Sequence, residues 1–124
     1  MGGAPDPCDD VILGYRNPLT GGPAMRTIGL AMQLLRPGVH TLPHRHSTST
    51  VYQAVRGAGV MAVNGERFAW KERDFIVVPP WAWHEHQNAS SSEEAILFQF
   101  NDEPAMRALG LYREQQEGGA VVIG

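Results

Sequence analysis

An all-β domain closed by one short C-terminal helix is the fold this sequence predicts, and three observations carry it. From Thr27 onward, short apolar runs alternate with breaks rich in Gly and Pro, the rhythm of many short strands in a small barrel or double-sheet jelly roll. Asn64-Gly65 joins two such runs and is a strong hairpin signal, because both residues tolerate the positive φ of a type I′ turn. Helical spacing is confined to the stretch after Asp102.

In chain order, residues 1–13 read as a flexible lead-in, dense in Gly, Pro and Asp. Asn17-Pro18-Leu19-Thr20-Gly21-Gly22-Pro23 follows as a rigid, turn-rich segment. Residues 28–35 read as a buried strand closed by the turn Arg36-Pro37-Gly38. Residues 48–55 are β-branched and aromatic enough for a long strand. Gly57-Ala58-Gly59 breaks the chain before a strand at 60–63, which the Asn-Gly turn joins to 67–70. Strands are expected at 74–78, running into Pro79-Pro80, at 83–87, and at 95–100 after the polar loop Ser90-Ser91-Ser92. Asp102 is placed to cap a helix with Pro104 in its first turn and Met106, Leu109 and Leu111 as its apolar positions. One domain over 14–117 with a tail at 118–124 accounts for the whole.

Composition excludes several classes. At 124 residues, 43% hydrophobic and 19% charged, the chain suits one compact core. Its ten Lys and Arg are dispersed and the net charge is −3, so it carries no footprint for nucleic acid. The lone Cys8 fits a reducing compartment. With no signal-like N-terminus and no long apolar stretch, a cytoplasmic protein away from membranes is expected. Apolar edge strands would be a liability if bare, so homo-oligomers are expected. There is no Gly-x-Ser-x-Gly elbow, phosphate-cradling Gly loop or zinc-like cysteine spacing.

The chemistry is in the histidines. His44 and His46 stand at i and i+2, and on a strand they share a face. His84 lies thirty-eight residues after His46 on another expected strand and can complete a three-nitrogen metal site. A pair of this kind is common on strand surfaces; it is the third histidine and the flanking turns that raise the reading. Three neutral imidazoles leave a divalent ion's charge uncompensated and its remaining positions open, which suits an anionic chelating substrate. Imidazole serves Fe, Ni, Cu and Zn alike. His86 shares the face of His84 and suits proton transfer or a substrate hydrogen bond, or else sits on a solvent-facing rim. Trp81 and Trp83 could wall an aromatic pocket or fill volume. Tyr52 and Gln53 could support substrate or pack within the sheet, while Arg45 points away from the ligand face.

Gly38, His44, His46 and Gly57, then Pro79, His84 and Asn88, make the chain resemble a cupin, the jelly-roll barrel also called a double-stranded β-helix. Thr50 stands where the family motif has Glu, and Arg73 and Trp81 stand where it has glycines. Asn17-Pro18-Leu19-Thr20-Gly21-Gly22 and Leu109-Gly110-Leu111-Tyr112-Arg113-Glu114 narrow the likeness to the C-terminal half of gentisate 1,2-dioxygenases, which are bicupins. That resemblance implies Fe(II) on His44, His46 and His84, with Zn2+, Ni2+ or Mn2+ compatible with the same donors. It implies a small hydroxylated aromatic acid and dioxygen as substrates, ring cleavage as the reaction, and Tyr52, Gln53, Trp83 and His86 around the substrate, with His86 as the catalytic proton partner. Tyr52 occupies the position, six after His46, where iron-bearing halves of the family carry Arg. A non-catalytic or ligand-sensing cupin with a structural or assembly role is the alternative.

Overall fold

The computed structural model describes residues 5–15, 19–20, 25 and 27–123. Most of the turn-rich run at 17–23 lies outside them. The elements are β1 (Pro5–Asp6), β2 (Asp10–Gly14), β3 (Gly29–Leu35), β4 (His44–His46), β5 (Thr50–Arg56) and β6 (Ala58–Val63). They continue with β7 (Glu66–Lys71), β8 (Phe75–Val78), β9 (His84–Gln87), β10 (Ala95–Asn101), α1 (Glu103–Ala108), β11 (Arg113–Gln116) and β12 (Val122–Ile123). Two antiparallel sheets result, ordered β1-β2-β3-β10-β5-β8 and β12-β11-β4-β9-β6-β7. This is the jelly-roll sandwich expected of the sequence.

Alternation fixes which side chains meet between the sheets. On β3, Ala31, Gln33 and Leu35 are buried; on β5, Thr50, Tyr52 and Ala54; on β10, Ala95, Leu97 and Gln99. The interior therefore has two ends. Leu35, Ala54, Met61, Trp70, Val78, Ala82 and Leu97 pack as an apolar cluster, and a fully buried Leu or Met contributes about 2–3 kcal/mol by leaving water. Toward the other end the buried side chains turn polar, with Thr50, Gln99 and the histidines.

The turns explain the motif glycines. Gly38 and Gly57 have φ of 74° and 80°. Arg73 and Trp81, which stand where a cupin has glycine, keep the left-handed geometry at φ 76° and 63°. Each side chain carries the strain that glycine avoids. Asn64-Gly65 forms the β6–β7 turn with both φ positive, 48° and 83°.

Three features differ from the sequence expectation. Within the segment read as a loose lead-in, β2 pairs with β3 from Val11↔Leu34 to Gly14↔Ala31. Asp10, at φ 57°, holds it there: its carboxylate accepts the Arg36 backbone N–H at 2.8 Å and Arg36 Nε at 2.9 Å. Strand β11, unanticipated because Arg-Glu-Gln-Gln has no apolar alternation, pairs with β4 through Glu114↔His46 and Gln116↔His44. Asp102 stands at the N-cap without a side-chain cap bond; its Oδ1 instead accepts the Ser49 N–H at 2.9 Å. Helix α1 buries none of its residues, and Leu109 and Leu111 are exposed.

Candidate metal centre

The two-residue period of β4 turns His44 and His46 to the interior, and the register of β4 with β9 sets His84 directly opposite His44. One ligand atom from each of the three lies within 4.8 Å of the others. Ring centroids are 4.1 Å apart for His44 and His84, 4.9 Å for His46 and His84, and 5.5 Å for His44 and His46.

Neighbouring groups aim the rings. His84 Nδ1 donates to the Ala82 carbonyl at 3.1 Å, so its other nitrogen is the bare acceptor. That Nε2 is buried and has no hydrogen-bond partner. His46 Nδ1 lies 2.6 Å from Thr48 Oγ1, leaving Nε2 for a ligand. A metal-binding imidazole is oriented in this way, by a bond to its second nitrogen.

Burial sets the protonation state. Desolvation is the leading cause for every ring: it lowers His44 to about 4, lowers His46, holds His84 well below the ordinary range and takes His86 to about 3. The neighbouring imidazoles push His44, His84 and His86 the same way. At neutral pH the rings are uncharged with free lone pairs, the form a metal requires. A buried acceptor nitrogen without a donor is costly in a folded protein, and a divalent ion among the three answers that cost. The donor set fits a metal.

A cavity of about 330 Å3 opens beside His44 and His46, walled also by Tyr52, Asp9, Arg107 and Glu114 among others. Tyr52 is buried at the cavity wall. The other expected substrate contacts are elsewhere. Gln53 is on the opposite face of β5 from Tyr52, as the pleat requires. Trp83 packs outside the second sheet, where the Arg45 guanidinium sits 4.3 Å from the Trp81 ring and 4.4 Å from the Trp83 ring. A larger hollow of about 640 Å3 is lined by Trp83, His84, Glu85 and Gln115 among others. His86 is fully buried rather than on a rim, 5.3 Å from the Tyr52 ring and 5.9 Å from His84 by centroids.

Other residues at the site went unread in the sequence. Asp9 sits 3.6 Å from His44 Nε2, and burial, followed by the charges of Asp6, Glu114 and Glu103, raises its carboxyl to about 7. Arg107 reaches the cavity from α1, 4.0 Å from the Tyr112 ring and 3.6 Å from Glu103. Thr48, two residues past His46, had a legible signal in its spacing; Asp9 and Arg107 had none, since only folding brings them here.

Residues 31–100 match the model of the cupin domain family. The chain is a cupin. Among curated relatives, this cupin is 47% identical over 114 residues to a 5-aminosalicylate 1,2-dioxygenase of a Comamonas species, covering 92% of the chain and 30% of that protein. It is 37% identical over 111 residues to gentisate 1,2 dioxygenase 1 of Aquipseudomonas alcaligenes, covering 90% and 31%. Its backbone superposes on the crystal structure of a salicylate 1,2-dioxygenase from Pseudaminobacter salicylatoxidans with a TM-score of 0.83 at 35% identity, covering 89% of the chain and 31% of that structure. The cupin thus spans about 30% of the length of these relatives, as one half of a bicupin would, less its connecting segments. Among the described residues no helix is long and apolar enough to cross a membrane.

Proposed function

We propose that this cupin is an Fe(II)-dependent dioxygenase domain that cleaves the ring of gentisate-like hydroxylated aromatic acids. One observation carries the reading: three neutral imidazoles converge, His44 and His84 buried and His46 half-buried, and two of them, His44 and His46, line a cavity of about 330 Å3, large enough for a single substituted ring. The relatives' names supply the reaction class. Iron held by His44, His46 and His84 would supply Lewis acidity, a template for chelating oxygens and electrons for dioxygen.

The chain's own groups then divide the remaining work. Arg107 is the one Lys or Arg among the described residues of the cavity wall, and its guanidinium would receive the substrate carboxylate by leaving Glu103. Tyr52 presents its ring as one wall for the substrate ring. His86, neutral and without a hydrogen-bond partner for either nitrogen, would hold a proton one layer behind Tyr52. Thr48 fixes the angle of His46.

The test is anaerobic reconstitution with Fe(II), then oxygen uptake with gentisate, salicylate and 5-aminosalicylate. Uptake that depends on iron and on one of these acids is expected. Tight iron binding with no uptake would refute turnover and favour the second reading, a ligand-binding or assembly cupin. That reading has its own support: Asp9, Glu103 and Glu114 bring three carboxylates to a wall with one Arg, a poor welcome for an anionic acid.

A further inference from the structure

The two sheets present opposite kinds of surface to the outside. An antiparallel sheet ordinarily turns one face to the core and a polar face to water. The second sheet obeys: its outward rows include Arg45–Gln115 across β4 and β11, and Glu85–Ala62–Arg67 across β9, β6 and β7. The first sheet does not. Ala31, Gln33, Leu35, Tyr52 and Leu97 fill its buried face, yet the alternate positions, which turn outward, are apolar as well.

Register gathers those outward side chains into rows. One row crosses from β2 to β8 as Leu13, Met32, Phe98, Gln53 and Phe75. The row beside it is Leu30, Phe100, Val51 and Val77. Tyr15 adds to one corner, its ring 6.3 Å from that of Phe98. Gln53 is the one polar residue in either row, and neither row holds a charge. The face is open: Phe75 is 63% exposed, Val77 62%, Tyr15 49% and Leu13 46%. With a whole aromatic side chain at about 150–250 Å2, these residues expose roughly 700 Å2, about a tenth of the chain's 7055 Å2. That is more than a solitary protein ordinarily leaves bare. It is close to the area of about 800 Å2 that each partner gives to a stable complex.

We propose that this outer face of the first sheet is a dimer interface, and that its occupant is the same face of a second copy of the chain. Three properties choose that occupant. The rows carry no charge, so they offer nothing to select a partner of opposite charge. They span five strands, the broad surface on which another sheet packs at a spacing of about 10 Å. The outer face of the second sheet is charged, so the surface of this molecule that complements the rows is the rows themselves. A contact of that kind is two-fold and closes, covering the apolar face of both copies and leaving the charged sheets outside. The proposal depends on neither the metal nor turnover.

Sedimentation velocity of the full chain at about 10 μM and about 100 μM tests it. Wild type should sediment at twice 13.6 kDa, about 27 kDa. Phe75→Lys combined with Val77→Lys sets like charges against each other across the two-fold contact, and Leu13→Lys does so from the far end of the same row. All three side chains are exposed in one copy, so the separated chain tolerates the change. Each variant should raise the dissociation constant of the dimer at least about thirtyfold, with the far-UV circular dichroism unchanged. Arg67→Glu, on the polar outer face, should leave the dimer intact. Should the double variant fail to fold, Leu13→Lys decides alone. Two results overturn the proposal. One is a dimer that survives the lysine variants, which puts the contact elsewhere. The other is a wild-type chain that stays at 13.6 kDa throughout; flotation of that monomer with phosphatidylcholine vesicles would then give the face to a lipid surface, and its failure to float would give it to a different protein domain.

Discussion

Replacing His86 with Leu in the metal-free protein tests the electrostatics of the polar interior directly. His86 is fully buried, neither ring nitrogen has a hydrogen-bond partner, and burial, reinforced by His44 and His46, lowers its pKa from 6.5 to about 3. The folded protein therefore resists protonating a group that the unfolded chain protonates freely. With the folded pKa depressed, the stability that depends on neutral His86 is complete above about 6.5 and is lost as pH falls through that value toward about 3. Between about pH 7 and about pH 5 the unfolded state gains about 2 kcal/mol from this one imidazole, while the folded state gains almost nothing. His86→Leu deletes that difference. It also removes two unpartnered polar atoms, worth about 1–3 kcal/mol at neutral pH, against a shape mismatch of about 1 kcal/mol. Urea unfolding followed by tryptophan fluorescence, in chelator at about pH 7 and about pH 5, should show the variant losing about 2 kcal/mol less than wild type on acidification. Equal losses would refute the argument, because they would mean that His86 protonates in the folded state as easily as in water.

Three further perturbations follow from named contacts. Thr48→Val removes the oxygen 2.6 Å from His46 Nδ1; chelator competition should show metal affinity down by about tenfold or more, with metal-free stability little changed. Arg73→Gly relieves a non-glycine φ of 76° on an exposed turn, and urea unfolding should show a gain of about 1 kcal/mol. Asp10→Ala removes the buried carboxylate that accepts from the Arg36 N–H and guanidinium and releases β2, at a cost of about 2–4 kcal/mol by the same assay.

Periodicity and punctuation made most of the barrel legible. β3, β5 and β10 fall where β-branched and apolar runs stand between turn residues, because their burial follows their own alternation, and β6 and β7 are legible from the Asn64-Gly65 turn that joins them. β2 and β11 escaped notice for a shared reason: each is held by a partner distant in sequence, β2 by Arg36 on Asp10 and β11 by the backbone of the His44–His46 strand. The meeting of the histidines could be read from spacing, since two residues on one strand share a face whatever the rest of the chain does. The cavity wall could not. Gln53 and Trp83 are adjacent in sequence to Tyr52 and His84, and the pleat sends them to the outside for that very reason. Arg107 and Asp9 enter the wall from a terminal helix and an N-terminal turn, where no local pattern points inward.

The division of the interior into an apolar and a polar end also says how the metal and the fold depend on each other. The apolar cluster around Leu35, Met61, Trp70 and Leu97 holds the sheets together without help. The other end places unpartnered atoms of His44, Thr50, His84 and His86 in the interior, and each weakens the metal-free protein. An ion that binds the folded state alone returns stability in proportion to its occupancy. At a free concentration about a hundred times its dissociation constant, the gain is about 2.7 kcal/mol, which for a domain of this size raises the unfolding temperature by about 10 °C or more. The rise should vanish in His84→Ala, whose own metal-free stability should suffer less than a cavity of that size implies, because the deleted ring carries a buried acceptor without a donor. Scanning calorimetry of both proteins with and without Zn2+ decides the matter. A wild-type unfolding temperature that ignores the ion would mean that the three histidines are packed for the barrel and not for a metal.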